Sequence, residues 1–327
     1  MIISKTPFRV SFFGGGTDYP DYFHTFGGSV VSTTINHYIY VTVKITPLIN
    51  DYKYRISYSK LEFCNDVEEI QHPVVREVIK LLNITEGLEI NIFSDLPAKT
   101  GIGSSSSFTV GILNAMHTLF GRNLSKKELA LQAIEVEQVI LKERVGVQDQ
   151  LAAAFGGFNH MTFTKDNLEV IPLKFNNRRV LALQSNLLMF YTGVSRFASD
   201  ILKEQIQNTQ EKKVNVELGH IHEMVEKGIE IINNDEANID NFGTLLHQAW
   251  LTKKKLSTTI SNAHLDDIYD RAMHAGALGG KLLGAGGGGF FVFYVPLEKQ
   301  VAVQKALAEL KEVIFEFEDE GTSIIYK

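Results

Sequence analysis

"PAKTGIGSSSS", Pro97 to Ser107, sets two glycines and four serines within eleven residues, and an apolar stretch begins directly behind it. Such a segment is a flexible linker, a tight turn or a cradle for phosphate. Its flanks narrow the choice. "LEINIF" before it is β-branched and apolar enough for a strand, and Phe108, Ile112, Met116 and Leu119 after it recur as one helical face that Gly121 ends. A strand, a Gly-rich turn and a helix opening among serines leave backbone N–H groups unpaired at the positive end of a helix dipole, where anions bind. The lysine of the usual phosphate loop is absent after Gly103. A plain serine N-cap would also explain one hydroxyl, but four consecutive serines exceed what a cap requires.

Two more glycine clusters flank this one: "GGGTD" (Gly14 to Asp18) and "GAGGGG" (Gly284 to Gly289). The latter fits G-x-G-x-x-G formally, yet "FFVFYV" behind it reads as a strand, whereas the dinucleotide fingerprint must open a helix. Elsewhere "RVSFF", "SVVSTTI", "YIYVTVKI" and "YKYRISY" read as strands, with one helix from Pro73 to about Leu82. Ser125 to Glu128 is a capping-box pattern opening a second helix whose apolar face is Leu129, Ala133, Val136 and Ile140. Strands are expected again through "VLALQSNLLMFYTG", then four helical stretches between Ser195 and Ala275, a strand at "FFVFYV", and a helix from about Leu297 to Lys311. Segregation of strand-rich and helix-rich segments predicts an α+β fold. A boundary near residue 180 divides the chain into 1–180 and 181–327.

The 327 residues are 44 % hydrophobic and 21 % charged, as in a globular protein with a sizeable core. A net charge of −6 argues against nucleic acid as a partner. Cys64 is the single cysteine, so neither an internal disulfide nor a thiolate metal cluster is available. "MIISKTPFRV" lacks the features of a secretion signal and no apolar run has membrane-spanning length, so a cytoplasmic chain without membrane contact is expected.

"TPFRVSFFGGGTD", "PAKTGIGSSSS" and "KLLGAGGGGFF", in this order, resemble the three signature motifs of the GHMP kinases, the family of galactokinase, homoserine kinase, mevalonate kinase and phosphomevalonate kinase. "GGGTDYPDYF", "GVQDQLAAAFGGFN" and "YTGVSRFASDIL" look like its bacterial D-glycero-D-manno-heptose 7-phosphate kinases. The resemblance spans nearly the whole chain. It implies a two-domain fold, with an N-terminal ATP-binding domain like ribosomal protein S5 domain 2 and a C-terminal α/β-sandwich domain. It also implies transfer of a phosphoryl group from ATP, with Mg²⁺, to a hydroxyl of a sugar or sugar phosphate. A homodimer is left open.

Under that resemblance Gly101, Gly103, Ser104, Ser105 and Ser106 wrap the ATP phosphates, and Ser105 and Glu137 reach the metal. Glu137 has no basic residue at i±3 or i±4 and adjoins an apolar face, so it either leans into solvent or meets a cation. Asp149 reads by itself as a helix cap, and by resemblance as the catalytic aspartate. Arg9 faces away from Phe8 and Val10 on its strand and is expected beside Asp149. Gly15, Gly16, Thr17 and Asp18 match the sugar-binding end of the first motif; Gly286 and Gly287 are expected at the substrate. Galactokinases carry Glu-His where this chain has Gly15-Gly16, which leaves room for a larger sugar. Arg196, at a helix start, is the candidate for a distal sugar phosphate, with Arg178, Arg179 and Lys203 behind it. The expected reaction is phosphorylation of the anomeric hydroxyl of heptose 7-phosphate; a galactokinase- or fucokinase-like enzyme and a non-catalytic sugar or nucleotide sensor are the alternatives.

Overall fold

The computed structural model describes residues 1–47, 49–194 and 198–327, with the side chains of 198–203 left aside. Thirteen strands are described: β1 (Ile2–Phe13), β2 (Gly28–Ile45), β3 (Tyr54–Ser57), β4 (Leu61–Cys64), β5 (Leu88–Ser94), β6 (Phe158–Phe163), β7 (Leu168–Pro172), β8 (Leu187–Tyr191), β9 (Gly279–Leu282), β10 (Phe290–Tyr294), β11 (Lys311–Glu312), β12 (Phe317–Glu318) and β13 (Ser323–Tyr326). They form two sheets. The larger runs β13-β1-β2-β5-β3-β4, with β6 and β12 also on β2 and β7 beyond β6; the smaller runs β11-β8-β10-β9.

β2 organises the first sheet because its 18 residues offer successive lengths of one strand to β1, β5, β6 and β12. β1 pairs antiparallel to it with register breaks after Pro7 and Ser11. Such irregularities re-aim side chains, and here they bracket Arg9. The helix Ser104–Leu119 lies across β1 and β2, and Gln148–Phe155 packs against that helix and β1. Both faces of β1 are therefore covered from Thr6 onward, which buries Phe8, Val10 and Phe12 and also Arg9. The helices Asn215–Asn233 and Asp240–Lys254 pack together, the latter on β9 and β10. Trp250 belongs to the core there, edge-on to Phe291.

The sequence reading holds for the capping box, where Ser125 and Glu128 bond reciprocally, and for β10 behind the glycine cluster. It fails in two places. Residues 180–185, expected as the start of a strand, belong instead to the helix Asn177–Ser185, which Asn176 caps through the Arg178 amide. The helix expected to reach Lys311 stops at Ala306. β12 and β13 pair with β2 and β1, so residues 317–326 return to the sheet that the first strands build. No helix among the described residues is long and apolar enough to cross a membrane.

Candidate active site

The Pro97–Ser107 loop is held from two sides by backbone. The Arg9 amide donates to the Ile102 carbonyl at 3.1 Å, and the Phe290 amide donates to the Thr100 carbonyl at 3.3 Å. Gly101, at φ 80°, lies so close to Leu283 that a Cβ would stand 2.2 Å from its carbonyl oxygen. Gly101→Ala is therefore expected to destabilise the protein by about 2–5 kcal/mol, from the left-handed backbone and from overlap with a neighbour that cannot yield. A denaturant midpoint equal to wild type would refute this.

Gly103 (φ 76°) turns the chain into the helix Ser104–Leu119, whose start has no side-chain cap despite its four serines. The plain-cap reading is thereby excluded. The first helical amide bond described here is Ser107 to the Gly103 carbonyl, at 2.9 Å. The amides of Ser104, Ser105 and Ser106 precede it, at the positive end of the helix, and these residues line a cleft of about 1730 Å³. That volume exceeds the ~300–1,000 Å³ of a pocket for one small ligand, so two substrates fit side by side.

Arg9 and Asp149 meet across the loop. The Arg9 Nε and Nη2 donate to the two Asp149 carboxylate oxygens at 2.8 and 2.9 Å, and its Nη1 donates to the Gly101 carbonyl. Asp149 sits in the first turn of Gln148–Phe155, where the helix dipole favours a carboxylate. Arg9 is 3 % exposed and Asp149 24 %, so the carboxylate is the partner that reaches the cleft. A charged bidentate pair beside an unpartnered helix start can orient a hydroxyl and balance charge developing on a phosphoryl group.

Glu137 lies in a stretch where the helix widens to π geometry, Glu135–Ile140, a distortion common at functional sites. This departs from the α-helix assumed from sequence. Glu137 is fully buried: Ser106 Oγ donates to its Oε2 at 2.9 Å and Gln150 Nε2 donates to the same oxygen at 2.5 Å. Burial lifts its pKa to about 7, against the lowering effect of the Thr109, Ser106 and Gln150 donors. Its Oε1 is buried with no hydrogen-bond partner. An orphaned carboxylate oxygen next to a serine hydroxyl fits a hard divalent cation. The serine involved is Ser106, which stands between Glu137 and the cleft; Ser105, expected as the metal's serine, is exposed and bonds to Glu137 through nothing described here. Among the described residues no three His, Cys, Asp or Glu side chains converge as a metal cage.

At the other end, Gly15, Gly16 and Asp18 line the cleft. Asp18 accepts from the Gly16 amide at 3.0 Å, and burial raises its pKa, with the Asp149 charge acting in the same direction. Thr17, expected at the sugar, is instead spent on backbone: its hydroxyl donates to the Gly14 and Ser29 carbonyls and accepts the Ser29 amide. Gly286 and Gly287 also do not line the cleft. They pack on Ile260, whose carbonyl accepts the Gly287 amide at 2.9 Å, and Gly284 and Ala285 face the cleft in their place. Arg196 lies outside the described residues, and Lys203 is among the side chains left aside. Arg179 is committed to the Ile231 and Ala237 carbonyls, around the end of the helix Asn215–Asn233.

Two functional candidates escaped the sequence reading: Lys253 and Lys281, both lining the cleft and 8 % and 5 % exposed. Lys253 continues the buried stripe Phe242, Leu246, Ala249, Trp250 of its helix, a periodicity that would have placed it inward. Lys281 is the one charge in the buried strand β9, just ahead of the glycine cluster.

The GHMP kinases N terminal domain model matches residues 70–157 and the GHMP kinases C terminal model matches residues 231–313. A D-glycero-alpha-D-manno-heptose 7-phosphate kinase of Campylobacter jejuni is 32 % identical over 340 residues, spanning 98 % of this chain and 97 % of that protein. The chain belongs to the GHMP kinases. Among solved structures, a D-glycero-D-manno-heptose 1-phosphate kinase from Bacteroides thetaiotaomicron superposes with a TM-score of 0.81 at 27 % identity, covering both chains fully. A galactokinase of Pyrococcus furiosus is 27 % identical over 97 % of this chain and 94 % of its own length. This GHMP kinase is thus a phosphotransferase with an alcohol acceptor and ATP as co-substrate, a sugar kinase similar to heptose phosphate kinases.

Proposed function

We propose that this GHMP kinase transfers the γ-phosphoryl group of ATP to the anomeric hydroxyl of D-glycero-D-manno-heptose 7-phosphate. The product would be the 1,7-bisphosphate, for synthesis of a nucleotide-activated heptose in the cytoplasm. The observation that carries the chemistry is the Arg9–Asp149 pair set beside the uncapped start of Ser104–Leu119. In this reading the amides of Ser104 to Ser106, with Gly101 and Gly103 letting the backbone approach, hold the triphosphate. Asp149 orients the acceptor hydroxyl and takes its proton as the new O–P bond forms and the bond to ADP breaks. The transition state is loose, so alignment and charge balance matter more than the strength of the base. Arg9 fixes the Asp149 carboxylate and offsets negative charge near the reacting oxygens. Glu137 and Ser106 would hold Mg²⁺, which when bound neutralises charge on the phosphates. Asp18 accepts sugar hydroxyls, and the side-chain-free Gly15 and Gly16 leave space for the long sugar.

A coupled ADP-release assay over heptose 7-phosphate, heptose, galactose and fucose is expected to give the highest kcat/KM with heptose 7-phosphate. Turnover of galactose or fucose with none of heptose 7-phosphate would overturn the acceptor and keep the family. A chain that binds ATP and turns over no sugar would instead be a sensor.

A further inference from the structure

We infer that the acceptor's own anionic group, a phosphate monoester, is held in the cleft by Lys253 and Lys281, Lys281 being anchored farther along β1 from the nucleotide loop. This rests on the kinase reading above and identifies what grips its acceptor. The Lys253 Nζ donates to the Leu282 and Gly284 carbonyls, and the Lys281 Nζ donates to the Phe12 carbonyl at 2.9 Å. Among the described residues neither ammonium forms an ion pair, although both are more than nine-tenths buried and line the cleft. The charges facing them are Arg9, which repels both, Asp18, which attracts both, and, for Lys281, the neighbouring Lys253, which repels it. Asp149 is engaged by Arg9 in both its oxygens. Two buried ammoniums therefore share one carboxylate, which burial itself pushes toward its neutral form.

Buried cations without counter-charge are unfavourable, and a phosphate dianion supplies the missing charge together with acceptors for the remaining Nζ protons. Burial lowers the pKa of both lysines, Lys253 to about 7, so it drives them toward the neutral amine, and a bound anion would favour the ammonium form. Lys253 lies beside the nucleotide loop, since it bonds to Gly284, whose backbone packs on Gly101, so the separation of this anion from the phosphates of ATP rests on Lys281. The carbonyl that anchors Lys281 belongs to Phe12, three residues beyond Arg9, roughly 10 Å along β1 at ~3.3 Å per residue. The loop amides lie at the Arg9 end, where Ile102 accepts the Arg9 amide. The anchor of Lys281 is thus set apart along β1 from the loop amides.

The test uses the full chain saturated with a non-hydrolysable ATP analogue and Mg²⁺, so that the nucleotide loop is filled, and titrates inorganic phosphate by calorimetry. Wild type is expected to bind phosphate saturably, and Lys281→Met and Lys253→Met to weaken binding by about 10–100-fold, the loss of one charge-assisted hydrogen bond. In turnover, each variant should raise KM for heptose 7-phosphate by a similar factor, leave KM for ATP unchanged, and erase the preference over unphosphorylated heptose. Variants that melt cooperatively yet bind phosphate and discriminate like wild type would overturn the subsite. Should the variants not fold, a wild-type crystal with the analogue and phosphate decides: density bonded to both Nζ atoms supports the inference, and density elsewhere or none refutes it. If phosphate binds through the lysines but heptose 7-phosphate is not turned over, the acceptor named above is wrong and the subsite stands. If heptose 7-phosphate is turned over and the variants keep its KM, the subsite fails alone.

Discussion

Asp149→Asn is expected to lower kcat by about 10²–10⁴-fold while the Kd of an ATP analogue stays unchanged. Asparagine keeps the size and the place in the first helical turn but neither takes a proton nor balances Arg9. Because Arg9 is 3 % exposed, its guanidinium is then left buried and uncompensated. Breaking such a pair costs about 3–5 kcal/mol in full burial, and the 24 % exposure of Asp149 puts the expected loss at the lower end. Activity and stability thus fall together, and a second variant separates them. Arg9→Met with Asp149→Leu removes both charges, so it should recover most of the stability and none of the turnover. Recovery of turnover by that double variant, or an Asp149→Asn enzyme within tenfold of wild type, would reduce the pair to a structural ion pair.

Glu137→Gln has two separable consequences. The first concerns magnesium: the Mg²⁺ concentration for half-maximal turnover should rise by at least about 10–100-fold, since the orphaned carboxylate oxygen is replaced by a neutral amide. The second concerns the metal-free protein and carries a definite sign. The Glu137 carboxyl holds its proton up to about pH 7 in the folded chain, against an ordinary value of 4.5. Between these values the folded state binds more protons than the unfolded one, so this group's contribution weakens as pH rises from 4.5 to 7 and is flat above. Glutamine does not titrate. Glu137→Gln should therefore be more stable than wild type at pH 8 by about 3 kcal/mol, the gap closing toward pH 4.5, and saturating Mg²⁺ should shrink it by stabilising only wild type. Equal denaturant midpoints at pH 8 without metal would show that the carboxylate is not desolvated.

Much of this protein is written locally and is therefore readable from its residues. The capping box at Ser125, the glycines at 101 and 103 and the strand behind Gly289 follow from short-range sterics and hydrogen bonding, which a few neighbouring residues settle. The ordered triple of motifs carried the family, and with it the α+β architecture. What the chain did not disclose depends on partners distant in sequence. Thr17 reads as a sugar ligand until Ser29 arrives to absorb its hydroxyl, and Gly286 and Gly287 read the same way until Ile260 packs on them. Glu137 meets Ser106 across the fold from a π turn, a register that a 3.6-residue period does not express.

Residues 317–326 join the first sheet because edges of β1 and β2 remain there to be paired, a fact of topology that no local pattern records. Lys253 and Lys281 are the clearest case. Each is an ordinary lysine by composition, and only the packing of the helix Asp240–Lys254 on β9 and β1 removes water from both and sets the two amines at one cleft. Backbone turns and family follow from short-range pattern; the burial that shifts Asp18, Glu137, Lys253 and Lys281 follows from the tertiary structure, because desolvation depends on what covers a side chain and not on what precedes it.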